Sequence, residues 1–441
     1  MATYHVENFG CRATQADGAA IERQLRERGL ERAGAASNAE VVVLNTCTVT
    51  ASADQDARAA IRRIHRENPE ARILVTGCYA QRAPAELSGL PGVSLVVGNS
   101  HKHDLADYAS PLPGGFVPVG HIGGTPDSQV IVGDIFAHTE LMAAPVFDSD
   151  SFQKTRPNLK VQDGCNNRCS FCIIPYVRGK SRSLKLEQVV REVDALVANG
   201  YREVVLSGIN LGRWGRELSP RTNFAAMLRA ILADTAVEKI RISSVEPTDW
   251  TNEVIELVAS SPRIAKHAHV PMQSGSDKVL RGMHRKYRPW HYADRIARIR
   301  RAMPDASIGA DVMVGFPGES DGDFEQTRAL IERLPFTYLH VFTYSSRPGT
   351  PSAQIPEQVP VQVARERNRV LRELAAQKKR EFMQSFVGRE MQAITLTRFD
   401  GEFTEALTDN YLKLRLRGRH AANQWMRGAI QALDNNALIG R

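Results

Sequence analysis

The sequence predicts an α/β protein in three parts: an open parallel sheet, then a full or partial βα barrel, then a small β barrel. Three observations predict it. Short apolar runs alternate with amphipathic stretches over the first part of the chain. A second, longer alternation follows Pro157, and from Gly388 onward the pattern changes to closely spaced short runs separated by turn residues. At 441 residues the chain exceeds one ordinary core, so two or three domains are expected.

In order, Thr3–Glu7 reads as extended, Gln15–Arg28 as helical, Glu40–Asn45 as extended, Asp54–Arg66 as helical and Arg72–Thr76 as extended. Val41-Val42-Val43-Leu44 and Ile73-Leu74-Val75 suit strands covered on both faces. Between Val146 and Pro157 the periodicity lapses, and Asp148, Ser149, Asp150 and Ser151 mark a linker. Candidate strands of the second series are Leu159–Gln162, Glu203–Leu206, Lys239–Ser243, His267–Val270, Ile308–Val314 and Tyr338–Phe342, with helical stretches such as Glu187–Ala198 between them. Pro348, Pro351, Pro356 and Pro360 then break the pattern before a charged helix, Val363–Phe382. In the tail, Met391–Thr397, Tyr411–Leu416 and Ala429–Leu433 read as short strands of a small barrel of the kind that often binds RNA. The expected divisions are 1–140, 151–382 and 383–441.

A hydrophobic share of 42% and a charged share of 24% are those of an ordinary soluble protein. No apolar run approaches the roughly 20 residues that span a bilayer. The chain also enters Tyr4-His5-Val6 without a basic and apolar leader, so a cytoplasmic location is expected. A net charge of +8 suggests an acidic partner such as a polyphosphate or nucleic acid.

Six cysteines in a reducing compartment point to metal binding or redox chemistry rather than disulfides. Cys165, Cys169 and Cys172 fall within Gln162-Asp163-Gly164-Cys165-Asn166-Asn167-Arg168-Cys169-Ser170-Phe171-Cys172, directly after a candidate strand. A four-iron cluster held by three cysteines keeps one iron without a protein ligand, free to chelate a substrate, whereas an electron-transfer cluster normally has four. Zinc is the competing metal. It normally takes a fourth Cys or His, and no His lies between His138 and His267.

The C-x3-C-x2-C spacing with an aromatic, Phe171, before the last Cys resembles the radical S-adenosylmethionine superfamily. The resemblance implies that the open iron binds the amino and carboxylate groups of S-adenosylmethionine and that one electron splits the sulfonium to a 5'-deoxyadenosyl radical. It also implies cofactor contacts. Ser207-Gly208 would meet the methionine part, Glu246 and Gln273 the ribose or methionine, and Val314, heading Val314-Gly315-Phe316-Pro317-Gly318-Glu319, would pack near adenine. All fall at carboxyl ends of candidate strands, where a βα barrel carries its active site.

The other cysteines are dispersed, yet Cys11, Cys47 and Cys78 each sit just past one of the first three candidate strands. In an open parallel sheet those ends share one crevice. Gly10-Cys11, Asn45-Thr46-Cys47-Thr48-Val49 and Gly77-Cys78-Tyr79-Ala80-Gln81 resemble the N-terminal domain of methylthiotransferases, which implies a second four-iron cluster carrying the sulfur to be transferred. The tail resembles the small RNA-binding barrel, TRAM-like, that closes many of these enzymes. Where many relatives have an asparagine a few residues after the first cysteine, this chain reads Cys11-Arg12-Ala13-Thr14-Gln15.

Lys413, Arg415 and Arg417 alternate along one candidate strand as a phosphate-reading stripe, and Arg62, Arg63 and Arg66 on one helix are further RNA candidates. Within the family, Thr46-Cys47-Thr48-Val49-Thr50, Ala60-Ile61-Arg62-Arg63 and Asp163-Gly164-Cys165-Asn166-Asn167 through Ile173-Ile174-Pro175-Tyr176 most resemble the branch acting on N6-threonylcarbamoyladenosine 37 of transfer RNA. Alternatives are the isopentenyladenosine branch, the branch modifying a ribosomal-protein aspartate, and a non-catalytic iron-sulfur RNA-binding or sensor protein. The resemblance further implies an electron donor such as flavodoxin or ferredoxin and a separate sulfur donor.

Overall fold

A computed structural model of the chain describes residues 2–109, 128–137, 141 and 155–441. Asp148, Ser149, Asp150 and Ser151 of the expected linker lie outside the described residues.

The first sheet is parallel throughout and has the strand order β2-β1-β3-β4-β5-β6. Its strands are β1 (Thr3–Asn8), β2 (Glu31–Arg32), β3 (Val41–Thr46), β4 (Arg72–Gly77), β5 (Val93–Gly98) and β6 (Gln129–Ile131). All six residues of β3 are buried because it runs through the middle of the sheet with helices on both faces. Its side chains alternate: Val42 and Leu44 join Ile61 and Ile64 of the helix Ala51–Glu67, while Val41 and Val43 join Ile21 and Leu25 of the helix Arg12–Glu27. Three strands beyond the expected ones complete the sheet. β5 carries an apolar run of the same kind as β3 and β4, whereas β2 and β6 are too short to show a period.

The second part is a partial barrel. Six strands run parallel in chain order: β7 (Asn158–Asp163), β9 (Glu203–Gly208), β10 (Lys239–Ile242), β11 (His267–His269), β12 (Ser307–Val314) and β13 (Tyr338–Thr343). The two-residue β8 (Arg182–Ser183) is antiparallel on the outer edge of β7. β10 and β11 meet only through the single bridges Ile240–Ile264 and Ser244–His269, which splits the wall into two hydrogen-bonded groups. One apolar core, from Leu159 to Leu371, joins all these strands to their helices.

The tail is a closed barrel of β14 (Glu390–Phe399), β15 (Phe403–Thr408), β16 (Lys413–Arg417), β17 (Trp425–Asp434) and β18 (Ala437–Gly440). Met383 and Phe386, at and just past the end of the helix Val361–Gln384, are buried among its core residues. The barrel docks against the amino ends of the central strands. Arg241, fully buried and paired with Glu203, donates to the carbonyls of Thr408 and Asp409, and Asn410 Nδ2 donates to Asp305 O at 2.9 Å.

Candidate active site

Each dispersed cysteine sits where a strand of the first sheet hands over to its helix. Cys11 occupies the position before the helix Arg12–Glu27, Cys47 follows β3, and Cys78 opens a short helix after β4. With the order β2-β1-β3-β4, the chain leaves β1 and β3 in opposite directions, and a crevice opens between them at the carboxyl edge. Gly10 makes the approach possible: its φ is +99°, and a Cβ there would stand 2.7 Å from Cys47 Sγ.

Burial, then the neighbouring Cys78 and Cys11 sulfurs, push the Cys47 thiol up to about 12. Three thiols gathered at one crevice are a set that a metal centre could hold as thiolates. Asn99 Nδ2 donates to Cys78 Sγ at 3.6 Å, and Thr14 Oγ1 stands 3.6 Å from Cys11 Sγ, in the stretch that departs from the usual family pattern.

Cys165, Cys169 and Cys172 lie on the loop after β7. Gly164, at φ +67°, packs so closely on Lys180 that a Cβ would fall 2.0 Å from its carbonyl oxygen. The loop is pinned by Cys165 N to Gly179 O at 3.1 Å and by Ser170 Oγ to Gly282 O at 2.7 Å. Donors also face its sulfurs. Asn167 N and Asn210 Nδ2 reach Cys165 Sγ at 3.4 and 3.6 Å, and Arg285 reaches Cys169 Sγ at 3.2 Å. Such hydrogen bonds tune a cluster's ligands.

Neither triad brings all its sulfurs within 4.8 Å of one another; among the described residues only His269, Asp311 and His340 do so with their ligand atoms. Around one zinc, with Zn–S near 2.3 Å, sulfurs lie under about 4 Å apart. The wider spacing suits a cluster whose cysteines bind different irons.

One cavity of about 580 Å³ is bordered by the loop triad and by Cys11, while Cys47 and Cys78 are buried and do not line it. Cys11 lines it from the first part, and Cys165, Cys169, Cys172, Phe171, Ser207, Gly208, Glu246 and Gln273 from the second. Glu246 pairs with Arg285, which also touches Cys169, so one guanidinium ties the loop to the end of β10. Val314 is different. It is fully buried in the barrel core and does not line the cavity.

The same cavity is lined by His267 and His269 on β11, Asp311 on β12, and Tyr338 and His340 on β13. Asp311 Oδ1 lies 3.3 Å from both His269 Nε2 and His340 Nδ1, and His267 Nε2 is 2.7 Å from Tyr338 OH. Sequence reading passed over these residues, although polar side chains at alternate positions of strands that should fill a barrel with apolar groups were a usable signal. Arg12 and Tyr411 complete the wall, with Arg12 donating to Tyr411 OH at 3.2 Å. All three parts of the chain therefore border one chamber.

Beneath the cysteines, Asp17 and Asp163 are buried with Lys102, Lys160 and Arg178. Arg178 bridges the two carboxylates at 2.9 and 3.0 Å, Lys160 also contacts both, and Lys102 reaches Asp17 at 3.0 Å. Three cations against two anions leave positive charge beside Cys11 and Cys78, which suits an anionic cluster.

A second cavity, about 760 Å³, runs between the tail barrel and the helix Val361–Gln384, and Tyr338, His340 and Tyr411 border both cavities. Arg156, Arg372, Lys379, Lys413 and Arg415 line it. Burial and the neighbouring Lys413 lower the Lys379 ammonium, as expected where cations crowd without enough anions. The residues of the expected stripe are partly paired. Lys413, Arg415 and Arg417 do face away from the barrel core, but Arg415 pairs with Asp400 at 2.9 Å and Arg417 with Glu402 at 3.1 Å. Of the helical arginines, Arg62 and Arg66 are exposed, while Arg63 pairs with Glu7 at 3.0 Å.

The Radical SAM superfamily profile matches residues 159–331, and that of Uncharacterized protein family UPF0004 matches residues 3–98. Threonylcarbamoyladenosine tRNA methylthiotransferase MtaB of Bacillus subtilis is 38% identical over 95% of this chain and 91% of its own length. The protein of the same name from Aquifex aeolicus is 37% identical over 96% and 99%. The chain belongs to the radical S-adenosylmethionine methylthiotransferase family. Among solved structures, the radical S-adenosylmethionine methyltransferase TsrM of Kitasatospora setae shares the fold, with a TM-score of 0.59 at 16% identity over 80% of this chain and 77% of that one. Cysteines from the first and second parts of the chain thus border one chamber. No helix among the described residues is long and apolar enough to cross a membrane.

Proposed function

We propose that this methylthiotransferase adds a methylthio group to C2 of N6-threonylcarbamoyladenosine at position 37 of transfer RNA. The observation that carries the reading is the single chamber bordered by Cys11 and by Cys165, Cys169 and Cys172. Kinship with enzymes named for that base supplies the substrate. When bound, two four-iron clusters and S-adenosylmethionine supply the electron, the 5'-deoxyadenosyl radical and the sulfur.

The chain's own residues do the positioning. Cys165, Cys169 and Cys172 would hold one cluster and leave an iron for the cofactor, while Cys11, Cys47 and Cys78 would hold the other. Glu246, Gln273, Ser207 and Gly208 border the cofactor's place, and Arg285 orients Glu246. The base has to leave its stack, at a cost of a few kcal/mol, and the basic cavity beside the chamber offers phosphate contacts to offset it. In this reading 1–140 carries the sulfur site, 151–382 the radical site and 383–441 the RNA grip. A flavodoxin or ferredoxin and a sulfur donor complete the cycle.

Anaerobic reconstitution with dithionite and S-adenosylmethionine tests the division of labour. Cys165→Ala is expected to abolish 5'-deoxyadenosine, whereas Cys47→Ala keeps cofactor cleavage and yields no methylthio product. Equal loss of both activities in a folded Cys47 variant overturns it, and a wild type that forms no 5'-deoxyadenosine points to the non-catalytic alternative.

A further inference from the structure

We propose that Arg12 binds the carboxylate of the threonylcarbamoyl group and so selects that base over an adenosine whose N6 substituent is apolar; the inference rests on the base assignment above. Arg12 lines the chamber, half-buried, immediately after the cluster ligand Cys11. Among the described residues it forms no ion pair. Among the described residues its side chain donates to the Tyr411 hydroxyl, at 3.2 Å, and that hydroxyl keeps its own proton to donate.

The carboxylates that line the chamber are engaged elsewhere: Glu246 pairs with Arg285, and Asp311 sits between His269 and His340. Outside the chamber lining, the carboxylate of Glu203 is already shared by Arg241, in a two-armed contact, and by Arg156 at 3.7 Å. His267 is held neutral, its pKa lowered well below the usual range first by burial and then by Arg241, His269 and Arg12. An arginine facing a cavity with its charge uncompensated is an anion site awaiting an anion, and the planar guanidinium suits a carboxylate.

The substrate's chemistry places its carboxylate here. The ureido N–H of a threonylcarbamoyl group can close a six-membered hydrogen-bonded ring on adenine N1, which turns the threonyl unit toward the side of the ring that bears C2. C2 has to approach the sulfur carried near Cys11. The carboxylate then arrives beside residue 12. An isopentenyl group offers Arg12 nothing and leaves its charge partly desolvated, which rejects that base as well as favouring the charged one.

The test uses the reconstituted full chain and three anticodon stem-loops carrying, at position 37, the threonylcarbamoyl base, its carboxyl methyl ester or the isopentenyl base. Wild type is expected to prefer the acid over the ester by about 10- to 100-fold in kcat/KM, the range for a charge-assisted hydrogen bond. In Arg12→Gln the acid falls to the level of the ester, its dissociation constant rises by a similar factor, and Arg12→Lys restores part of the preference. Tyr411→Phe, distant in sequence from every cysteine, is expected to reduce the same preference several-fold. Retention of the acid preference in Arg12→Gln, or equal loss on acid and ester, overturns the inference while the base assignment stands. A wild type that modifies only the isopentenyl stem-loop overturns the base assignment itself.

Discussion

At the scale of single residues, the site depends on contacts that leave no room for exchange. Gly10→Ala forces a positive-φ position and drives a methyl group onto Cys47 Sγ, so iron content after reconstitution is expected to fall by about half while 5'-deoxyadenosine formation persists. Arg285→Met removes the guanidinium that touches both Cys169 and Glu246. Cofactor cleavage is expected to drop at least about 10-fold, with a rise in the KM for S-adenosylmethionine, since Glu246 loses the partner that orients it. Arg285 had no sequence signal, because a lone arginine in Met283-His284-Arg285-Lys286 reads as surface. The cysteines were legible for the opposite reason: each follows an apolar run, with a glycine or a short polar turn between, and three of them crowd into one loop. His267 and His269 sit between these cases, visible only to a reader who asks which face of a barrel strand must be apolar.

At the scale of elements, what holds β7 to the helix Arg12–Glu27 is a cluster of charges rather than apolar packing alone. Burial raises Asp17 and Asp163, and cations more than reverse it, Lys102, Lys160 and Arg178 at Asp17 and Arg178, Lys160 and Arg182 at Asp163, so both carboxyls stay below the ordinary range. Folded pKa values below the unfolded ones mean this stabilisation is complete above about pH 5 and is lost as pH falls through the folded values. Arg178→Met leaves two buried carboxylates short of one of the two cations they share. A loss of about 3–5 kcal/mol in denaturant unfolding is expected, together with a shallower dependence on acid. None of this was readable beforehand. Asp17 lies in a helix 143 positions from Lys160, and only the folded chain brings them together. The strands themselves were largely readable because β3, β4, β9 and β12 carry buried apolar runs, whereas β2, β6 and β8 are held by their neighbours' hydrogen bonds and carry no pattern of their own.

At the scale of the whole molecule, charge is concentrated where the tail barrel meets the helix Val361–Gln384. If the substrate strand lies there, its affinity declines with salt at about 0.7 log units per log unit for each phosphate neutralised. Replacing Arg372, Lys379 and Lys413 together by Gln is expected to weaken stem-loop binding and flatten that slope by roughly two log units, measured by titration across salt concentrations. Replacing Arg417, already paired with Glu402, changes the slope little. Alternation along β16 located basic residues correctly on the outer face but could not reveal which of them face acids across the barrel; that depends on Asp400, Glu402 and Asp434, brought in by neighbouring strands and turns.

The tail barrel also places one ring, Tyr411, in the wall of the reaction chamber, on a turn whose backbone clasps Arg241. A chimera that borrows this barrel from a sister enzyme therefore imports more than a handle for the nucleic acid. It brings a foreign tile into the enclosure itself, and altered choice of base would travel with the graft even when every cysteine stays native.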